Sequence, residues 1–468
     1  MAYDFDLIVI GSGPAGEKAA AQAAYFGKRV AVIEKEPLPG GAAVHTGTLP
    51  SKTLRETALF LAGHRQRELY GLGVTVAPEL AVQKLLARKD AVRDREVNRV
   101  LWNFSRHGIE SLRGTARLID GHSVAVSGEA GRRVISGEFL LVATGSLPHH
   151  PDGIDFPDPA IDDSDEVLGI DRLPRKFVIL GGGVIGCEYA CMFAELGVEV
   201  ALVEPRPRLL PFIDSEICEA LEASMRARGV TLHLGRRWTS VARNGNELAV
   251  ALDDGDEIRA DRVLVASGRS GATAGLGLED AGVKLGPRGT IEVDAHYRTN
   301  VPSVFAAGDV IGSPALASTS MEQGRLAVCH AFGFDYRRDL SGVWPSGIYT
   351  IPEVSCSGLT EAEALGKGLE AVCGRATYDL NARGQIIGAS GGMVKLVFDR
   401  ATRRLVGTHI IGDSATEIIH IGQAVMALDG TVDTLIDMVF NYPTLSECYK
   451  YAAYDALGRW DDQAGASR

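Results

Sequence analysis

Hydrophobic residues in this chain fall in short solid runs rather than in strict alternation. Phe5-Asp-Leu-Ile-Val-Ile10 enters Gly11-Ser12-Gly13-Pro14-Ala15-Gly16, a helix-like stretch continues to Gly27, and Arg29-Val-Ala-Val-Ile33 ends on Glu34. The same order returns later: Phe177-Val-Ile-Leu180, Gly181-Gly-Gly183-Val-Ile185-Gly186, a helical stretch to Gly197, then Val198–Val203 closing on Glu204. Strands that are apolar on both faces belong in parallel sheets covered by helices. The pattern predicts an α/β chain containing two strand–turn–helix–strand units. Further runs at Phe139–Gly145, Arg262–Arg269 and Val304–Asp309 stop on small residues and glycine, with the Asp309 carboxylate at the end of one. From about Val343 the pattern becomes α+β, with strands expected around Val394–Phe398 and Leu405–Gly412 and helices over 415–429 and 445–457.

The three glycines of each unit have separate mechanical tasks. The first makes the turn, the second lets backbone approach a pyrophosphate, and the third lets helix and strand pack closely. The helix N-terminus adds free N–H groups for phosphate. Glu34 and Glu204 each stand 18 residues beyond the third glycine, where a carboxylate can accept from a ribose diol. A lone glycine pattern is weak; two copies, each with strand, helix and terminal acid, predict two dinucleotide sites.

Composition narrows the picture. At 468 residues the chain is long enough for about three domains. Its 48 basic against 60 acidic residues leave a net charge of −12, which argues against a broad nucleic-acid footprint. No apolar run has the length of a membrane span. The acidic start, Met-Ala-Tyr-Asp-Phe-Asp, shows no leader, so a cytoplasmic location is expected. Seven cysteines run from Cys187 to Cys448 and none precedes them, which is no disulfide framework. Cys187 and Cys191 are expected in a helix core. Glu417-x-x-His420 has no second copy, and His149-His150 has no ligand cluster, so no metal site is expected.

In motif order the chain resembles the flavin disulfide reductase superfamily, which includes dihydrolipoamide dehydrogenase and glutathione reductase. Ala143-Thr144-Gly145 and Ala307-Gly308-Asp309 are similar to its further flavin-contact motifs. The resemblance implies two Rossmann-like dinucleotide-binding domains plus a C-terminal α+β dimerisation domain. It places FAD on 1–150 and 273–342, NAD(P) on 151–272, and dimerisation on 343–468, with a homo-oligomer of two or more chains. One departure is informative. Where the superfamily carries G-G-x-C-x4-C-x-P-S-K, this chain reads Gly40-Gly41-Ala42-Ala43, then Thr48-Leu-Pro50-Ser-Lys52. The superfamily's H-P-x-x-x-E appears as Tyr442-Pro443-Thr-Leu-Ser-Glu447. Both thiols and their acid–base partner are absent together. Thr48, Asn441-Tyr-Pro-Thr444, Gly347–Val354 and Glu417–Gln423 resemble one branch, the soluble pyridine nucleotide transhydrogenases, although Ala43 stands where many members keep a single cysteine.

That resemblance implies roles by position. Gly11, Gly13 and Gly16 admit the FAD pyrophosphate, Glu34 takes the adenosine ribose, Gly114 and Ala116 place the adenine, Thr144 and Gly145 line the crossover, and Asp309 holds the ribityl chain. Ser12, Pro14, Ala15, Lys35, Gly40, Gly41, Ala42, Ala43, Thr48, Gly268, Gly308, Leu316 and Ala317 are carried over as further cofactor contacts. Lys52 is expected to set its charge near the flavin and to pair with Glu188, although an ordinary surface lysine is the plainer reading. Asp309 likewise has a plainer reading as a turn cap. Gly181, Gly183, Ile185, Gly186, Glu204, Arg206 and Arg208 are expected to bind the nicotinamide nucleotide. Glu204 suits a free 2′-OH, whereas Arg206 and Arg208 suit a 2′-phosphate. The mixture fits a site taking both NAD and NADP, or two solvated arginines beside an NAD-only pocket. The expected activity is FAD-mediated hydride transfer between NADPH and NAD+. The alternatives are an NAD(P)H-dependent reductase of a quinone or other small acceptor, and a non-catalytic flavoprotein module.

Overall fold

A computed structural model of the chain describes residues 3–63, 69–72, 78–129, 131–335, 342–389 and 391–465. Strand β1 (Phe5–Ile10) is buried on both faces. It pairs in parallel with β2 (Val30–Glu34), Leu7 opposite Val30, and with the second half of strand Gly131–Val142, Leu7 opposite Phe139. Strand Glu110–Arg113 continues the sheet beyond β2, and Val304–Ala306 closes the far edge opposite Leu140–Val142. The first half of Gly131–Val142 instead joins an antiparallel meander with Ser123–Gly128 and Thr115–Leu118. Helix α1 (Pro14–Tyr25) opens on a proline, whose missing N–H would have had no helical partner. Its buried face is alanine (Ala15, Ala19, Ala20 and Ala23), so helix Ala317–Phe332 can lie close against it. At Gly324 of that helix a β-carbon would overlap the Ala15 carbonyl.

The second unit repeats this design. Parallel strands stand in the order Thr231–Leu234, Glu199–Glu204, Lys176–Leu180, Arg262–Val265 and Ile161–Asp162, beside a meander of Trp238–Asn244, Glu247–Leu252 and Glu257–Ala260. The chain leaves the first sheet after Val142, builds the second, and returns as Val304–Ala306. The outgoing and returning crossings pair as a short antiparallel ribbon, Ser146–Pro148 with Arg269–Gly271. Thus the run expected from Arg262 to Arg269 is strand only to Val265, and Val304–Asp309 only to Ala306. Asp309 starts a 3-10 turn.

The C-terminal part is a five-stranded antiparallel sheet, in the order Pro345–Ile348, Val354–Gly358, Leu405–Ile411, Met393–Asp399 and Ala371–Thr377. Helices Ala415–Ala427 and Cys448–Gly465 accompany it. The helix expected over 415–429 stops early because the chain turns through Asp429 at a φ of 55°. The stretch expected as helix from 445 begins as a 3-10 turn, Leu445–Glu447.

A buried charge cluster joins this sheet to the second unit. Lys395, 1% exposed, places Nζ 2.9 Å from Asp214 Oδ1, 2.6 Å from Glu216 Oε1 and 2.7 Å from Glu361 Oε2. Arg375 adds a bidentate bond to Glu216, with Nε 2.6 Å from Oε2. Arg375 first, then Lys395, hold the Glu216 carboxyl down from its ordinary 4.5 to about 2 against the opposing effect of burial. A carboxylate lowered on folding stabilises above its unfolded value, and the effect is lost as pH falls through the folded one. Thermal midpoints should therefore fall as pH drops from 4.5 towards 2. Glu216→Gln should lower the midpoint at neutral pH but flatten that acid decline, as read by calorimetry across the range.

Candidate active site

A cavity of about 1120 Å³ runs from the glycine turn after β1 to the junction of the three sheets. Gly11, Ser12, Gly13, Pro14 and Ala15 line one end with Glu34, Lys35, Gly114 and Ala116. Thr144, Gly145, Gly308 and Asp309 line the middle. Gly41, Ala42, Ala43, Thr48, Lys52, Leu316, Ala317, Ile185 and Glu188 line the far end. Gly16 and Gly40 lie just behind this wall. Gly181, Gly183, Gly186, Glu204, Arg206 and Arg208 sit outside it, along the edge of the second sheet. Gly268 precedes the interdomain ribbon, where its carbonyl accepts from the His149 N–H at 2.9 Å.

The glycine turn tests whether a dinucleotide fits. Gly11 has a φ of 103°, and a β-carbon there would overlap the Ala143 carbonyl. At Gly16 a β-carbon would overlap the Gly11 carbonyl. The protein itself therefore demands both. Gly13 differs: its β-carbon would meet nothing nearer than the Gly41 Cα at 3.8 Å. The second unit repeats the contrast, with Gly181 and Gly186 crowded and Gly183 facing open space. A bare backbone beside free space and a helix N-terminus is what a pyrophosphate needs. Thr144 Oγ1 is buried with no hydrogen-bond partner in the protein, so a ligand in the cavity can supply one. Glu34 accepts from Ser12 N at 3.0 Å, Ser12 Oγ at 2.5 Å and Glu36 N at 2.9 Å. A carboxylate has about four acceptor positions, which leaves one for a ligand hydroxyl. Asp309 is oriented by hydroxyls donated from Ser146 at 3.1 Å and Ser320 at 3.3 Å. These residues fit FAD.

At the far end three elements converge. Lys52 rises from helix Thr48–Leu61, whose first turn tolerates Pro50 for want of a helical N–H partner. Its Nζ lies 2.6 Å from Glu188 Oε2, on helix Val184–Glu195 of the second unit. The other Glu188 oxygen accepts the Tyr349 N–H at 2.8 Å, and the Lys52 ammonium lies 5.0 Å from the Tyr349 ring centroid. Arg55, one turn beyond Lys52, donates to the Thr350 carbonyl at 3.0 Å and so binds the same helix to the C-terminal part. No cysteine lines the cavity among the described residues; Ala43 and Thr48 do. Cys187 and Cys191 are fully buried, and burial pushes both thiols up. His150 pairs with Asp163 at 2.8 Å, and His420 with Gln423 at 2.9 Å. Among the described residues no His/Cys/Asp/Glu group is arranged to hold a metal, and no helix is long and apolar enough to cross a membrane.

Sequence reasoning missed Tyr349 and Arg269. Arg269 donates to Ser146 Oγ and O, both at 2.8 Å, and to Ser164 Oγ at 3.1 Å. It lines the cavity where the interdomain ribbon passes. Each lay inside a quoted motif, but only the packing between elements turns it towards the cavity.

The fold and the cavity define a nucleotide-dependent oxidoreductase, and the chain belongs to the pyridine nucleotide-disulphide oxidoreductase family. The model of that family matches residues 5–324, and the model of its dimerisation domain matches residues 344–453. The chain is similar to the soluble pyridine nucleotide transhydrogenase of Mycobacterium tuberculosis, with 45% identity covering 97% of this chain and 98% of that protein. It is also similar to the protein of that name from Hahella chejuensis, at 41% identity over 98% and 99%. Among solved structures, LpdA from Mycobacterium tuberculosis superposes with a TM-score of 0.88 at 29% identity, covering 96% of this chain and 99% of that one.

Proposed function

We propose that this protein is an FAD-dependent NAD(P)+ transhydrogenase that moves hydride between NADPH and NAD+, each bound in turn at one pocket. The observation that carries this reading is the cavity wall itself, where Ala43 and Thr48 stand beside the Lys52–Glu188 pair and, among the described residues, no cysteine lines the wall. FAD, when bound, supplies the two-electron carrier that takes hydride from one nicotinamide and gives it to the next.

The chain's own residues do the rest. Residues 1–150 and 273–342 hold FAD, 151–272 hold the nicotinamide nucleotide, and 343–468 pair two copies of the chain. Gly13 and the α1 N-terminus take the FAD pyrophosphate, Glu34 its adenosine ribose, and Asp309 its ribityl hydroxyls. Lys52 holds a fixed positive charge on the wall where negative charge builds during transfer, a preorganised stabilisation requiring no movement. Glu188 fixes the direction of that ammonium and, through the Tyr349 N–H, ties it to the C-terminal part. Glu204, Arg206 and Arg208 receive the adenosine end of the nicotinamide nucleotide.

The purified yellow protein should reduce thio-NAD+ at the expense of NADPH. It should leave lipoamide and glutathione disulfide unreduced. Anaerobic titration with dithionite should take up one two-electron equivalent per flavin and no more. A quinone that outcompetes NAD+ at equal concentration, or a second two-electron reservoir, would overturn the reading.

A further inference from the structure

The two acids that close the glycine units have different surroundings. Glu34 lines the cavity with one acceptor position free. Glu204, only 2% exposed, has none. Its Oε2 accepts from Gly182 N at 2.6 Å and Arg206 Nη2 at 2.9 Å. Its Oε1 accepts from Arg206 N at 2.9 Å and Arg206 Nε at 2.6 Å. All of the roughly four acceptor positions of a carboxylate are thus filled by the chain itself. Two of the four belong to one side chain, and that side chain is 45% exposed and carried on a loop.

We propose that Arg206 is a movable cap on Glu204 that sets the balance between the two nicotinamide nucleotides. The inference rests on the reading that both bind at this pocket. For a nucleotide with a free ribose diol, the guanidinium must leave before Glu204 can accept from the 2′- and 3′-hydroxyls. For a nucleotide with a 2′-phosphate, the guanidinium turns onto the phosphate, and Glu204 stays satisfied by the Gly182 and Arg206 N–H groups. Arg206 therefore opposes one ligand and favours the other. A guanidinium that merely added positive charge would favour both, since both carry a pyrophosphate.

The test uses ligands that cannot be reduced, so it does not depend on turnover. Calorimetric titration of the FAD-loaded enzyme with ADP-ribose and with adenosine 2′,5′-bisphosphate gives the two affinities. In Arg206→Ala the bisphosphate should bind about tenfold more weakly, the range expected for losing a hydrogen bond to a charged group. ADP-ribose should bind about threefold or more tightly, because two acceptor positions on Glu204 are released. Glu204→Gln should weaken ADP-ribose while leaving the bisphosphate as tight or tighter. Should Arg206→Ala weaken both ligands alike, or leave ADP-ribose unchanged, the cap is refuted. If the variants shift the two affinities as stated but the wild-type enzyme fails to reduce thio-NAD+ with NADPH, the transhydrogenase reading fails and the cap stands.

Discussion

Lys52→Met should slow flavin reduction by NADPH by about 10²–10³-fold, the effect typical of removing one preorganised stabilising group. Methionine keeps the length and apolar stem of lysine and removes its charge together with the N–H groups that bond Glu188 and Ser51. The KM for NADPH should change little, because Lys52 touches Glu188 and Ser51 rather than the adenosine end of the nucleotide pocket. Lys52→Arg should restore part of the rate. Stopped-flow reduction of the bound flavin, with steady-state KM measured alongside, gives both quantities. A lysine that only joined two helices would lower thermal stability when replaced and leave the single-turnover rate near wild type.

Gly13→Ala and Gly16→Ala should fail in opposite ways. A methyl at Gly13 meets nothing of the protein closer than 3.8 Å, so the apoprotein should unfold at the wild-type temperature. The same methyl fills the space above the helix N-terminus, and FAD affinity should fall by about 100-fold or more, equivalent to losing two charge-assisted hydrogen bonds. At Gly16 the methyl overlaps the Gly11 carbonyl, and forcing helix and strand apart should cost about 1–3 kcal/mol of stability before any ligand is added. Calorimetric melting of both apoproteins and flavin retention on gel filtration separate the cases. Equal loss of flavin with equal loss of stability would mean that Gly13 is needed by the fold and not by a ligand.

What the sequence made legible follows from the range of the interactions involved. The glycine turns, both terminal acids and the strands around them are set by backbone sterics over fewer than forty residues, as Gly11 to Glu34 shows. Lys52 and Glu188 lie 136 positions apart. No spacing relates them, and their pairing was expected only from resemblance. Tyr349 and Arg269 stand where parts of the chain built independently come together, so no local pattern marks them. Strands Pro345–Ile348 and Val354–Gly358 carry no apolar run in the sequence, being mostly Ser, Gly, Pro and Cys. The sequence shows only the charge of Arg206. Its engagement with Glu204 depends on both side chains folding back over one turn, which composition does not reveal.

The interrupted first sheet has a consequence for how the molecule is made. Its edge strand, Val304–Ala306, and Asp309 just beyond it are translated after the whole second unit. The parallel strands of that unit all lie between Ile161 and Val265. On the ribosome, the second sheet has its full set of parallel strands while the first sheet still waits for its final strand and for the Asp309 carboxylate on the cavity wall. The first sheet, begun earliest in the order of codons, is thus last to be completed.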